Sequence, residues 1–587
     1  MRRTFALFKR WRTMTRENWR ESVMQVFHPK ILTTIRNYTR EQFIADLIAG
    51  IIVGVVALPL AIAFGIASGV SPERGLITAV IGGFLISALG GSRVQIGGPT
   101  GAFIVIVYGI VEQFGVDGLI VATIMAGIML VLMGVLRLGT IIRFMPYPII
   151  VGFTSGIAVV IFSSQIKDFF GLQVAQAVPA DFIEKWHFYF LNFDGVNWHS
   201  LALGLLTIII IAFWPKVNKK IPGTIVALLL TTLATTFWEL PVETIGSRFG
   251  EIKGGIPMPS IPFVNFATFS KLLVPAFTIA MLGAIESLLS AMVADGATGG
   301  RHRSNTELIG QGIANIITPL FGGIPATGAI ARTMTNIRNG GKTPIAGIIH
   351  AIVLLLIMLF FGKFAKLIPM STLAGILIVV SYNMSEWRSF KGLFKNSKSD
   401  IAVLLTTFFL TVIIDLTVAI QFGLLLAVFL FMKRVIETSD VEVLNMVVED
   451  DSDEMADEGE NLQIPEGVEV FEVNGPFFFG IANKFEEAEK LTGIKPKVRI
   501  IRLRRVPFID STGLSNLQAF IDRASNHDIK IVLSGAGTQV LLNLQKAGII
   551  DVLGEENNCK DIQCALKRAK ILINGIESAE KVRDDKH

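Results

Sequence analysis

Charged residues and cysteines are scarce in this chain of 587 residues. Asp, Glu, Lys and Arg together make up 17% of it, whereas soluble domains carry about 25%. Hydrophobic residues reach 51%. This balance excludes an ordinary soluble protein and predicts many membrane-spanning helices. The two cysteines, Cys559 and Cys564, are too few to indicate a disulfide framework or a metal site, and we expect both to be reduced.

Signatures of enzymes and of metal sites are also missing. The nearest match to a phosphate-binding loop is Gly341-Lys342-Thr343, but Asn336 stands where that loop needs its first glycine. The histidines have no metal-ligand spacing. We therefore predict that the protein is not an enzyme or an ATP-driven pump and has no cofactor or metal. The N-terminal stretch has no apolar run before a small-residue cleavage site, so we expect no cleavable signal peptide.

The charges that are present lie at two places. Residues 1–42 are basic, and residues 449–460 are acidic. A basic arm can bind nucleic acid, but ahead of a membrane helix it marks the cytoplasmic side and contacts anionic lipid. We expect membrane lipids and no nucleic acid as partners, and an inner (plasma) membrane location.

Long apolar runs fill residues 43–437, the predicted transmembrane domain. They lie at about 43–69, 74–90, 102–114, 118–137, 146–166, 200–214 and 221–238, and then at about 271–295, 307–320, 329–338, 343–362, 367–382, 400–415 and 416–432. Lys and Arg concentrate in the loops after even-numbered runs, as cytoplasmic loops do. Seven is odd, so the second set enters from the opposite side. The runs therefore predict fourteen segments in two inverted repeats.

The third run of each set follows a broken segment with the same phrase, Gly-Gly-Pro-Thr-Gly-Ala, at residues 97–102 and, with two extra residues, at 322–329. Such segments at membrane depth must line a cavity or be buried in protein. Helices starting there would direct free N–H groups and dipoles at one anion. The predicted substrate contacts at these starts are Thr100, Gly101, Gly328, Ala329 and Ile330. The alternative is a pair of ordinary loops between helices.

Two charged residues stand near these segments. Glu286 lies in the apolar stretch 277–293 without a neighbouring Lys or Arg, and Ser290 follows it by one turn. Carboxylates at membrane depth are costly and tend to be functional, so we expect Glu286 and Ser290 at a coupling-ion site. Arg332 follows the second segment and suits an oxyanion. We expect it to lie near Glu286. The alternatives are a structural carboxylate and a plain salt bridge between the two.

A soluble part follows the membrane part. The acidic residues 438–464 predict a mobile linker, and residues 465–575 predict a small α/β domain. Its expected strands are 468–473, 498–503 and 529–533, and its expected helices are 484–491, 512–526 and 537–547. We expect residues 576–587 to be a disordered tail.

Several of these stretches resemble the SulP anion transporters, a family that includes prestin. They are residues 57–64, 95–101, 294–295, 305–311 and 322–342, together with Asp510-Ser511-Thr512-Gly513, which is similar to the phosphorylation-site loop of a STAS domain. The likeness covers about residues 40 to 570. It implies fourteen segments divided into a core and a gate domain, a cytoplasmic STAS domain, and a homodimer.

The resemblance also implies roles for residues. Phe64 matches a position that lines the pocket, with core packing as its alternative, and Arg332 matches an arginine at the anion site. Glu286 stands where bicarbonate-carrying members have an Asp at a sodium site, and the longer Glu favours a proton instead. Ser511 matches a regulatory phosphoserine, although it could simply be a helix N-cap.

These observations predict a secondary active transporter of a small inorganic oxyanion, with sulfate favoured by Arg332, proton coupling, and alternating access. Sodium-coupled bicarbonate transport and a dicarboxylate carrier stay open as alternatives. A third alternative, from another class, is a membrane sensor that signals through the STAS domain.

Overall fold

The fold was analysed on a computed structural model. It describes residues 27–140, 146–174, 178–179, 181–218, 222–250, 255–262, 265–414, 416–438, 440–444, 447–449, 461–479, 484 and 496–584. The chain divides into two compact units, Met1–Ala427 and Val428–His587. The division falls inside a helix, N-terminal to the domain boundary predicted at residue 437.

The first unit is helical. Its helices are α1 Lys30–Thr34, α2 Arg40–Ala67, α3 Pro72–Ile77, α4 Gly83–Leu89, α5 Ile104–Val135, α6 Tyr147–Phe170, α7 Phe182–Leu191, α8 Trp198–Val217, α9 Gly223–Phe237, α10 Ile245–Phe249, α11 Phe266–Thr298, α12 Ser304–Leu320, α13 Ile330–Arg338, α14 Pro344–Phe361, α15 Met370–Met384, α16 Trp387–Leu393, α17 Lys398–Ile413 and α18 Leu416–Thr438. In the described ranges, eight helical stretches are long and apolar enough to cross a membrane. The expected polytopic helical membrane fold is confirmed.

The two predicted broken helices differ in the structure. A 3₁₀ turn, Gly101–Phe103, opens α5, which combines the predicted runs 102–114 and 118–137. The two parts meet at Gly115, whose backbone is not helical (φ 68°, ψ −174°). Glycine tolerates this conformation because it has no Cβ. The second broken helix, α13, stays short and runs from Ile330 to Arg338.

The longest helix of the first unit that the apolar runs missed is α7. We expected a loop after the fifth run, but residues Phe182–Leu191 form α7. Its N-cap is Asp181, whose carboxylate accepts hydrogen bonds from the N–H groups of Ile183 and Glu184 at 2.9 and 3.0 Å. A cap of this kind satisfies N–H groups that a helix start leaves free. The predicted apolar runs did not reveal α7 because the helix is short and amphipathic.

The membrane helices pack in two groups. In one, α2 packs against α14, and α5 packs against both α11 and α12. Glycines allow the α5–α12 approach, since a Cβ on Gly127 would lie 2.7 Å from the carbonyl oxygen of Gly312. In the other group, α6 packs against α15 and α17, and α8 packs against α15.

Buried carboxylates join the first half of the membrane unit to the second. Asp46 on α2 accepts hydrogen bonds from the N–H groups of Lys342 and Thr343 at 2.7 and 3.1 Å, just before α14. The hydroxyl of Tyr38 donates to the same carboxylate at 3.0 Å. Glu307 on α12 accepts from the N–H groups of Gly91 and Ser92, just ahead of the first broken segment. These contacts fix the surroundings of both broken segments.

The second unit contains a five-stranded sheet covered by helices. The described strands of the unit are β3 Asp440–Leu444, β4 Val447–Glu449, β5 Asn461–Gln463, β6 Val468–Asn474, β7 Val498–Arg502, β8 Lys530–Ser534 and β9 Asn558–Cys559, of which β4 and β5 pair only with each other. The described helices are α19 Ser511–Asn526, α20 Thr538–Lys546, α21 Ile549–Leu553 and α22 Ile562–Asp584. The strand numbering starts in the first unit, which contains the short strands β1 Gly97–Gly98 and β2 Thr327–Gly328. The sheet order is β3-β6-β7-β8-β9, with β3 antiparallel and the other pairs parallel.

Two predictions about the second unit were wrong. Residues 440–444, expected in a mobile linker, form β3 and pair with β6 in register from Asp440↔Asn474 to Leu444↔Val470. Their alternating Val side chains fit an edge strand despite the acidic composition. The tail expected from residue 576 is helical up to Asp584, because α22 continues. The predicted helix 484–491 and the acidic run 450–460 lie outside the described residues, apart from residue 484.

Candidate anion site and family membership

The two broken segments meet in the structure. β1 and β2 pair antiparallel, with Gly97 opposite Gly328 and Gly98 opposite Thr327. One residue further on, the N–H of Ala329 donates to the carbonyl of Ile96 at 2.8 Å. The repeated phrase therefore marks one place, because each copy satisfies part of the other's backbone. The alternative of two separate loops is wrong.

Both helices that leave this pair begin without a side-chain cap. The turn Gly101–Phe103 starts after Thr100, and α13 starts after Ala329, and neither of these two residues accepts a capping hydrogen bond. Uncapped N–H groups and the positive ends of two helices lie next to one short ladder. This arrangement attracts an anion.

Arg332 on α13 lies at the same place. It is 2% exposed, and its Nη2 donates to the carbonyl of Pro99. Its Nη1 has no hydrogen-bond partner. A Cβ on Gly98 would lie 2.5 Å from this Nη1, and the φ of Gly98 is +144°. Only glycine therefore leaves enough space for the guanidinium at this position. A buried guanidinium with a free N–H direction suits an oxyanion.

Glu286 on α11 lies near the first broken segment. The Thr100 side chain neighbours the half-buried Glu286 carboxyl, while the Thr100 hydroxyl has no hydrogen bond of good geometry. Among the described residues, Glu286 forms no ion pair, and Arg332 is held by Pro99 instead. The alternative of a plain salt bridge between Glu286 and Arg332 is therefore wrong, whereas the expected nearness of the two residues stays a prediction. Because the residues before α13 pair with β1, Arg332 on α13 points toward the first broken segment.

Polar side chains that our sequence reasoning missed connect α11 to both segments. Gln95 donates to the carbonyl of Ser287 at 3.2 Å, and Thr327 donates to that of Gly283 at 3.0 Å. The hydroxyl of Thr333 accepts from the N–H of Ile96 at 3.0 Å and lies 3.3 Å from Ser290 Oγ. The sequence signal that could have revealed these residues is that they are polar and stand next to long apolar runs. Ser290 is thus brought to the site together with Glu286.

Gly101, Ile330 and Phe64, the other predicted substrate contacts, differ in how deeply they are buried. Gly101 is buried, and a Cβ on it would lie 2.9 Å from Met384 Sδ and 3.3 Å from Ile161 Cδ1, on α15 and α6. Ile330 is 40% exposed. Phe64 is 5% exposed and belongs to the main apolar core. Core packing thus accounts for the burial of Phe64, whereas Gly101 lies where the two helix groups meet.

Ser511 lies in the second unit, at the first position of α19. The N-cap is Asp510, whose carboxylate accepts the N–H of Gly513 at 2.7 Å. The alternative of Ser511 as the N-cap is therefore wrong. The exposed serine stays a predicted phosphorylation site.

Comparison with known proteins decides the family. The profile of the sulfate permease family matches residues 43–407. This chain belongs to the sulfate permease family. A STAS domain profile matches residues 461–562 of this permease, so the predicted SulP membership and STAS domain are confirmed.

Similarity to individual proteins supports the same family membership. The permease is 40% identical over 524 residues to the putative sulfate transporter YvdB of Bacillus subtilis, covering 89% of this chain and 97% of YvdB. It is 31% identical over 518 residues to the bicarbonate transporter BicA of Picosynechococcus, covering 86% and 89%. A structure of murine Solute Carrier 26 family member A9 in the inward-facing state superposes with a TM-score of 0.84 at 17% identity, covering 97% and 98%. That structure shares the fold.

Proposed function

We propose that this permease is a secondary active transporter that carries sulfate together with a proton. The unpartnered Nη1 of the buried Arg332, beside two uncapped helix starts, carries the proposal. The anion would bind between Thr100–Gly101 and Gly328–Ile330, opposite Arg332. A guanidinium and several N–H groups offer enough donors for the oxygens of a tetrahedral dianion.

Transport would proceed by alternating access. The site lies at the starts of α5 and α13, and α13 packs against α2 and α11. A Cβ on Gly101 would approach Met384 and Ile161 of the other group. A rigid-body movement of one group against the other would expose the site to each side in turn. We place the N-terminal segment and the STAS domain in the cytoplasm, following the basic loops.

The proton would bind at Glu286. Thr100, at the proposed anion position, neighbours the Glu286 carboxyl, and no cation of the described residues pairs with that carboxyl. A carboxylate next to a bound dianion would be repelled, so anion binding favours protonation of Glu286. Anion and proton would thus bind with positive coupling, typically about 1–3 kcal/mol.

Sodium-coupled bicarbonate transport is the second candidate. Similarity to BicA supports it, as does the hydroxyl pair Ser290–Thr333 one turn from Glu286, since hydroxyl and carboxylate oxygens are ligands for hard cations. The two candidates differ in the driving ion.

The test is uptake by proteoliposomes of labelled sulfate, bicarbonate and chloride, under a proton gradient or a sodium gradient. We expect sulfate to accumulate when the outside is acidic, without sodium. Uptake that follows sodium and ignores pH would favour the second candidate. No uptake of any anion under either gradient would overturn both.

Glu286→Gln sharpens this test. Glutamine resembles the protonated carboxyl, so the variant should still bind sulfate and exchange it across the membrane. It should no longer concentrate sulfate on a proton gradient. Concentration with unchanged pH dependence would exclude Glu286 as the proton carrier. Ser287→Ala, at the next position of α11, serves as the matched control because its hydroxyl bonds only within its own helix.

A further inference from the structure

A cavity of about 440 Å³ lies beside α7. Residues of α2, α5, α6, α7 and the end of α17 line it, so it belongs wholly to the membrane unit. Ile104 and Val105 are among them, and they directly follow the turn Gly101–Phe103 at the proposed anion site. The cavity thus leads from α7, on the side predicted to be external, to the start of α5.

Lys185 lines this cavity with a largely buried side chain. The residue is 8% exposed, and its ammonium forms no ion pair or hydrogen bond with a described residue. Burial lowers the pKa of its ammonium, and the nearby charges of Glu112 and Asp181 oppose that effect. A cation that is removed from bulk water and lacks a protein partner is compensated by a ligand or by water in the cavity.

Tyr189 lies one turn further along α7, on the same face. It is 2% exposed, lines the same cavity, and its hydroxyl has no hydrogen bond of good geometry. The helix itself is fixed, because the indole N–H of Trp186 donates to Ser163 Oγ at 3.1 Å and Asp181 caps its start. A cation and a hydroxyl donor are therefore held in place in one cavity.

The carboxylates around the cavity are mostly engaged elsewhere. Asp168 accepts two hydrogen bonds from Arg248, at 2.6 and 3.1 Å. Asp181 is occupied as the cap of α7. Among the described residues, Glu112 is exposed and acts on Lys185 without a hydrogen bond or ion pair to another side chain. Lys167 adds a second cation to the lining.

We propose that Lys185 and Tyr189 form a second anion-binding site, a vestibule that receives the small oxyanion before it reaches the paired helix starts. The ammonium supplies the charge, and the phenol supplies a directed hydrogen bond. Glu112 competes with the anion for Lys185. That the vestibule anion is the transported one rests on the proposed function; the binding site itself does not.

A site of this kind raises the local anion concentration at the transport site. It should therefore affect the external concentration needed for half-maximal uptake more than the maximal rate. Neutralising Lys185 and neutralising Glu112 should act in opposite directions. A structural role of either residue would not give opposite signs.

Kinetics test this directly. In proteoliposomes, Lys185→Gln should raise the KM for external sulfate about tenfold, the value of one charge-assisted contact, with kcat nearly unchanged. Tyr189→Phe should raise it less, and Glu112→Gln should lower it. Lys363→Gln removes an exposed lysine on the same predicted side and is the matched control. Unchanged KM in both Lys185→Gln and Glu112→Gln, or shifts of the same sign, would overturn the proposal.

Calorimetry separates this proposal from the transport proposal. The wild-type chain in detergent, titrated with sulfate, bicarbonate and chloride in turn, should bind two anions per chain. Lys185→Gln and Arg332→Gln should each bind one, at the site that the other variant lacks. Two anions in Lys185→Gln, or binding of every anion that Lys185→Gln leaves the same as in the wild type, would overturn the vestibule. Binding of two anions without any uptake would overturn only the transport proposal.

Discussion

At Gly328, the side-chain amide of Gln95 occupies the space that a Cβ would need. The same amide donates to the carbonyl of Ser287. A methyl group at Gly328 would therefore displace Gln95 and disturb the end of β2. A side chain at Gly328 would thus clash with Gln95, which supports the proposed site, as well as with a proposed anion.

We expect Gly328→Ala to lower sulfate affinity about tenfold, as for one lost charge-assisted contact. Ala329→Leu should also weaken binding, because a bulky side chain would stand at the start of α13. Calorimetry with sulfate measures both. Gly296→Ala is the control, since a Cβ there meets nothing within 4 Å. Unchanged affinity and transport in Ala329→Leu would place the anion elsewhere.

Cys559 tests burial in the second unit. It is 4% exposed, and burial, followed by a hydrogen bond with Cys564, raises the pKa of its thiol to about 12. At pH 8 in the full chain, we expect iodoacetamide to modify Cys564 and spare Cys559, as peptide mass spectrometry would measure. Urea should remove the difference. Equal rates in the native protein would contradict the burial.

The raised pKa of the Cys559 thiol also makes the stability of the second unit depend on pH. Below about pH 8.5, the ordinary pKa of a cysteine, the thiol is neutral in both states and its contribution is fully present. Between about pH 8.5 and 12, the unfolded thiolate is favoured and this contribution is lost. Replacement of Cys559 by Ser should flatten that part of the pH dependence of unfolding.

At the scale of elements, the start of α14 depends on a side chain of α2. Asp46 accepts two N–H groups there and the hydroxyls of Tyr38 and Thr343. Asp46→Ala would leave these buried donors without an acceptor. We expect a loss of about 3 kcal/mol in unfolding free energy, at the usual cost of unsatisfied buried groups. Thermal unfolding in detergent measures it.

The control for Asp46 is Asp400→Ala, a change in the half-buried first turn of α17. It should shift the unfolding temperature much less. An Asp46→Ala variant as stable as the wild type would mean that another group, or water, satisfies the start of α14.

Elements also differ in how well the sequence predicts them. Apolar length predicts α2, α6 and α11, because lipid demands about 20 apolar residues. It misses α7, whose Tyr189 and Lys185 gain their buried surroundings only from tertiary packing. Composition suggested a linker at 438–464, whereas the alternation of Val441 and Val443 was the better signal for β3. The direction of Arg332 depends on the β1–β2 pairing, which local sequence does not encode.

At the scale of the molecule, the cut that separates the membrane unit should follow Thr438. A cut further upstream, for example after Lys433, would fall inside α18. A chain ending at Thr438 keeps that helix whole and removes the entire sheet, including β3. We expect it to elute as a monodisperse species in mild detergent and to bind sulfate. Aggregation of this chain, with the full chain monodisperse as control, would show that the membrane unit needs the STAS domain to fold.

The ladder between β1 and β2 also has a consequence for biosynthesis. Arg332 and Pro99, which it brings together, are 233 residues apart in the chain. While the ribosome makes the intervening helices, the Gly97–Gly98 edge has no β2 to pair with, and lipid offers it no substitute. Contacts of such high sequence separation form late. A nascent chain that stalls before residue 327 would therefore contain inserted helices and no binding site, and this intermediate is where we would expect quality-control proteases to act.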